Sequence, residues 1–219
     1  MNTESIKNNK KIILDNFNKG KYEKVIKLGK KFLKKNNDFQ VLYALGVANL
    51  TLKDYLEAEK IFRNITLLKP NAENYYIYGN IHKQLKNYNE ASGYYLKAIN
   101  LKSDYSEAYN NLGNTKFKLG FIDEAVKNYK QAIKFNKKNI SAYFNLAHVY
   151  SEEKNFDDLK KVLQDILKFD ENNTTALNDL GYLNLILGSV DEGRKLFERV
   201  INIDDKHIRA FKNYFLITK

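Results

Sequence analysis

The apolar residues of this 219-residue chain recur at helical spacing along almost its whole length, separated by lysine, asparagine and acidic side chains. A single proline and ten glycines leave little material for the turns of an all-β chain. The predicted class is all-α. One such helix is "YNNLGNTKFKLG" (109–120), with Tyr109, Leu112 and Gly113 on one side of a helical wheel and Asn110, Asn111 and Asn114 on the other. Asparagine is about 0.5 kcal/mol worse than alanine inside a helix, so three within six residues ask for an explanation.

A longer period organises the helices. Gly79 and Gly113 lie 34 residues apart and Gly181 lies 68 beyond Gly113, with Ala147 midway. A period of this length marks a repeat architecture. Aligned on it, the chain divides into units 39–71, 72–105, 106–139, 140–173 and 174–207, the first one residue short. Residues 6–38 read as a divergent repeat in which Gly20, Tyr22, Val25 and Phe32 take the expected places, and 208–219 as a terminal helix without a second partner helix. The small residue at the eighth place (Gly46, Gly79, Gly113, Ala147, Gly181) is expected to face the twentieth (Ala58, Ala91, Ala125, then Leu159 and Gly193), which is mostly small, so that two antiparallel helices approach closely. A bulky residue fills the twenty-fourth place: Phe62, Tyr95, Tyr129, Leu163 and Phe197. Gly20, Gly120 and Gly188 fall at inter-helix turns, "DYLE" (54–57) and "SVDE" (189–192) have capping-box spacing, and Pro70 closes a repeat.

On these residues the units resemble tetratricopeptide repeats. The resemblance implies a right-handed α-solenoid of antiparallel helix pairs, about six units and a C-terminal capping helix, forming one domain over 1–219. It also implies that the fifth, sixth and ninth places of each first helix line a concave groove. The groove residues so implied are Tyr76, Asn80, Asn110, Asn111, Asn114, Phe144, Asn145, His148, Asn178, Tyr182 and Asn213. Carboxamides donate and accept hydrogen bonds, so a row of them can hold the backbone of an extended peptide. The arrangement is similar to the asparagine ladder of the O-linked N-acetylglucosamine transferase family, with Asn111, Asn145 and Asn213 matching the sixth place and Asp179 interrupting it. The carboxylate clamp of chaperone co-factors is not assembled, since Tyr76, Ser141 and Asn145 stand where its cations belong.

Charge changes the picture only at one end. The formal net charge is +11, and residues 1–35 hold eleven lysines against Glu4, Asp15 and Glu23, a local excess of +8. Lys24, Lys27, Lys31, Lys34 and Lys35 could meet an anionic surface, but an end repeat needs a polar exterior in any case. Aromatics for base stacking are sparse there, so nucleic acid is not the expected partner. A mixture rich in Lys, Asn, Ile and Tyr is also what an AT-rich genome favours, and composition competes with binding as the origin of the asparagines.

Candidate chemistry is thin. The acidic pairs Asp123-Glu124, Asp157-Asp158 and Asp191-Glu192 recur at starts of second helices, where carboxylates favour the helix dipole. His82, His148 and His207 occupy unrelated places, no cysteine is present, and no nucleotide-binding glycine motif occurs, so no metal, cofactor or catalytic centre is expected. No apolar run suits a signal peptide or a membrane span, which leaves a cytoplasmic location as the expectation. The expected function is a non-catalytic interaction scaffold binding a protein or extended peptide. The alternatives are a substrate-recruiting region of a larger glycosyltransferase or sulfotransferase, and electrostatic docking through the lysine-rich first repeat. Phe211, Tyr214 and Phe215 make the C-terminal helix unusually apolar for a solvated end, and self-association is the reading they raise.

Overall fold

The computed structural model describes residues 3–217, and among these residues there are thirteen α-helices and no strand. In chain order they are α1 (Thr3–Asn18), α2 (Tyr22–Leu33), α3 (Phe39–Thr51), α4 (Tyr55–Leu68), α5 (Ala72–Gln84), α6 (Tyr88–Leu101), α7 (Ser106–Lys118), α8 (Ile122–Phe135), α9 (Ile140–Glu152), α10 (Phe156–Phe169), α11 (Thr174–Ile186), α12 (Val190–Ile203) and α13 (Ile208–Ile217). Contacts divide the chain into two compact units, an N-terminal one ending at Phe121 and a C-terminal one beginning at Ile122. In the N-terminal unit each helix packs on the next, and α1 touches α3 as α5 touches α7. The C-terminal unit repeats the pattern, with α11 touching α13. Each unit is an all-α helical repeat.

Local chemistry explains where the helices begin and turn. Asp38, Asp54, Asn71, Asn139, Asn155 and Asn173 each accept a hydrogen bond from the backbone amide three residues on, satisfying a donor that the first turn leaves open. Asp54 thus caps α4 as its sequence predicts, whereas the Ser189 side chain makes no capping bond to α12. Its backbone N–H instead closes the turn onto the Asn184 carbonyl at 2.8 Å. Gly20, Gly120 and Gly188 hold the left-handed conformation at the turns within helix pairs, with φ of 67°, 81° and 80°. Lys53, Lys86 and Lys154 adopt it at the equivalent turns, with φ of 63°, 61° and 54°. The turn is imposed by helix packing even where the residue opposes it.

The tight approach within a pair differs in detail from the pattern expected of two small residues. A Cβ on Gly46, Gly79 or Gly181 would meet the ring of Phe62, Tyr95 or Phe197 at 2.9, 2.7 or 2.8 Å. The eighth-place glycine therefore makes room for the ring sixteen residues later. Among the twentieth-place residues, Gly193 shows backbone approach directly, since its Cβ would lie 2.9 Å from the Gly181 carbonyl oxygen. The twenty-fourth-place side chains Phe62, Tyr95, Tyr129, Leu163 and Phe197 are all fully buried.

Candidate interaction faces

The N-terminal unit brings four polar side chains together where α5, α6 and α7 meet. Tyr95 of α6 is buried with its hydroxyl donating to Asn80 Oδ1 at 2.7 Å. Asn111 of α7 donates its amide to the same Asn80 oxygen at 2.8 Å and to the Tyr76 hydroxyl at 3.2 Å. The ring of Tyr76 lies 5.0 Å from that of Tyr105 and 6.0 Å from that of Tyr95. Burial raises the phenol of Tyr105 to about 12 and drives that of Tyr95 still higher, so both hydroxyls stay protonated near neutrality. The amide of Asn111 thus ties one repeat to the next.

The C-terminal unit repeats that bond once. Asn213 of α13 donates to Asn178 Oδ1 of α11 at 3.2 Å, and Asn178 donates to Asp179 Oδ1 at 3.3 Å. In repeat terms both Asn213 and Asn111 reach from a sixth place to the fifth place of the preceding unit. Asn178 is buried beneath this contact, and Asn110 is buried as well, so neither of these expected groove residues presents an open side chain. Asn114 and Asn145 are half-buried.

Between α9, α10 and α11 the face is open. A cavity of about 220 Å³ is lined by Phe144, His148 and Ser151 from α9, Phe156 and Leu159 from α10, and Asp179, Tyr182 and Ile186 from α11, among others. Three of the predicted residues, Phe144, His148 and Tyr182, converge here, and Tyr182 is 53% exposed. His148 Nε2 lies 3.4 Å from a Glu152 carboxylate oxygen at the rim. Asp179 was expected only as a break in an amide row, yet it is the carboxylate in the cavity wall. Burial raises its pKa, against the opposing effects of the Asn178 bond and the charges of Arg209 and His207. Its sequence signal was a lone acid on a first-helix face that otherwise carries amides and aromatics.

The three residues at corresponding places show why one face closes and the other stays open. Tyr76, Asn80 and Asn111 correspond to Phe144, His148 and Asp179. Phe144 has no hydroxyl to accept a bond, and an ionised Asp179 has no proton to donate. The pair of bonds that Asn111 donates therefore has no counterpart of the same polarity here.

Family profiles described as TPR repeat match residues 79–120 and 114–153, and profiles described as tetratricopeptide repeat match residues 39–71 and 140–173. The chain belongs to the tetratricopeptide repeat family. Among solved structures, MamA is 22% identical with a TM-score of 0.68, covering 75% of this chain and 97% of that one. The C-terminal part of a TPR repeat-containing protein from Cytophaga hutchinsonii is 16% identical with a TM-score of 0.81, covering 95% of this chain and 88% of that one. YrrB, described as a TPR protein with an unusual peptide-binding site, is 17% identical with a TM-score of 0.64, covering 84% and 95%. These likenesses are of fold. No curated protein matches the sequence.

The remaining features fall outside these faces. The acidic pairs 123–124, 157–158 and 191–192 lie in the first turns of α8, α10 and α12, where they complement the helix dipole. His82 is buried against the rings of Tyr78 and Tyr94, at 4.7 and 5.2 Å. Among the described residues no helix is long and apolar enough to cross a membrane.

Proposed function

We propose that this tetratricopeptide repeat protein is a non-catalytic interaction scaffold whose C-terminal unit binds an extended peptide across α9 and α11. The family supports the scaffold reading, and the peptide-binding site ascribed to YrrB supports the ligand class. The observation that carries it is the cavity walled by Phe144, His148, Tyr182 and Asp179. Its 220 Å³ lies below the range of pockets for drug-sized ligands and suits one bulky side chain. Aromatic walls supply contact area, and the half-buried carboxylate, disfavoured in isolation, gains from an incoming cation. The preferred ligand is therefore an extended peptide with an apolar side chain next to arginine or lysine. A cytoplasmic location belongs to the same reading.

Chemical-shift mapping of the full chain with a short peptide bearing phenylalanine beside arginine is the test. Expected are shifts confined to α9–α11, an affinity reduced about tenfold by Tyr182→Ala, and an unchanged melting temperature, because Tyr182 is exposed. Shifts elsewhere, or equal affinity in the variant, would sink the proposal.

A further inference from the structure

The lysine-rich end of the chain is not evenly solvated. Between α1 and α2 lies a second cavity, about 200 Å³, with an apolar floor of Ile12, Ile13, Leu28 and Phe32 and with Lys31 and Lys35 in its wall. Lys35 and Asn36 also border a shallower depression of about 590 Å³ that runs to Leu42, Leu67 and Leu68. Leu67 and Leu68 stand 76% and 59% exposed, and Ile12 42%. Two apolar depressions therefore adjoin across one lysine and one asparagine. Two nearby acids are already engaged: Asp38 pairs with Lys10 at 2.7 Å and Glu57 with Lys30 at 3.3 Å. Among the described residues Lys31 and Lys35 form no ion pair.

We infer that the α1–α2–α4 surface of the N-terminal unit is a separate docking site for an acidic amphipathic segment of a partner protein, which sets bulky apolar side chains in the two depressions and its carboxylates against Lys31 and Lys35. Charge complementarity selects this occupant. The excess of +8 over residues 1–35 attracts anions, and the apolar floors reward side chains that a phosphate backbone lacks. Base stacking has no platform here, because Phe32 is buried and Phe17 and Tyr22 pack edge to face at 6.1 Å. The α1–α2 floor is recessed and of side-chain size, which suits an anchor residue better than the acyl layer of a membrane.

The test uses the full chain and a fluorescein-labelled peptide carrying two leucines among glutamates, followed by fluorescence anisotropy. Expected is saturable binding that weakens with added salt and falls about tenfold in Lys31→Gln/Lys35→Gln, the loss of two partly screened charge contacts. Leu67→Ser/Leu68→Ser should weaken it comparably, and melting curves of these surface variants should match that of the parent. Tyr182→Ala should leave it unchanged, which separates this site from the cavity of the C-terminal unit. Equal affinity for a peptide with glutamine in place of glutamate overturns the proposal, as does full affinity in the lysine variant. Sedimentation with phosphatidylserine vesicles in place of peptide binding overturns it in favour of a lipid surface.

Discussion

In the N-terminal unit the face bearing Tyr76, Asn80 and Asn111 is closed by its own hydrogen bonds, while in the C-terminal unit Phe144, His148 and Asp179, at the same repeat places, border an open cavity. The backbones are alike and the exposed surface differs. One hydroxyl and one amide distinguish the two faces, because Tyr76 and Asn80 both accept from Asn111, whereas Phe144 has no hydroxyl and an ionised Asp179 can only accept. A repeat fold can therefore use one position for cohesion in one unit and leave it to a ligand in another. Polar groups that satisfy each other within the chain are unavailable for recognition, and polar groups left strained by burial are the better candidates for it.

The sharpest way to break this comparison is Asn111→Ala. Helix propensity alone predicts a gain of about 0.5 kcal/mol. Loss of two hydrogen bonds in a half-buried site should outweigh it, for a net destabilisation of about 1 kcal/mol in urea unfolding. A more stable variant would show that the bonds contribute nothing.

A somewhat smaller effect is expected from building the closed face into the open unit. Phe144→Tyr together with Asp179→Asn supplies the hydroxyl and the amide, and should stabilise the C-terminal unit by roughly 0.5–1 kcal/mol while abolishing capture of the arginine-bearing peptide. Unchanged stability with retained binding would mean that the two faces differ for another reason.

The smallest effect is a divergence with pH. Burial lowers the pKa of His82, whose ring nitrogens have no hydrogen-bond partner among the described residues. The unfolded chain then binds the proton more readily, so the N-terminal unit keeps its full stability above about 6.5 and loses some as pH falls below it. Asp179 has the opposite sign, since its raised pKa makes the native state the better proton acceptor and the C-terminal unit gains as pH falls through that raised value toward 3.8. Hydrogen exchange by mass spectrometry, corrected for intrinsic rates, should show protection falling in α5–α6 and rising in α9–α11 on mild acidification. Parallel changes in both units would remove the electrostatic half of the comparison.

Much of this was legible beforehand for reasons that can be named. Helical spacing, the 34-residue period, the Asp54 cap and the glycines at turns are short-range or repeated signals, and the structure follows them. The missing Ser189 cap and the left-handed lysines were not, because there the packing of the pair sets the turn and the local residue only adapts. The partner of each eighth-place glycine was assigned to the twentieth place, as Gly193 against Gly181 bears out, but the ring from the twenty-fourth place also lies over Gly46, Gly79 and Gly181. A period names the small position and does not say which of two later positions leans across it.

By itself the sequence determined the helices, their pairing and the family, since these rest on apolar periodicity and on forces acting within a few residues along the chain. The tertiary structure alone decided what the polar residues do. Asn111, Asn178 and Asn213 stood on one predicted face with eight other residues, and only packing showed that their amides bond across repeats while Asp179 stands beside Phe144, His148 and Tyr182 in a cavity wall. A hydrogen bond needs its partner within about 3 Å in a defined direction. Residues 31 and 35 places apart in the chain reach that distance only once the repeats have stacked.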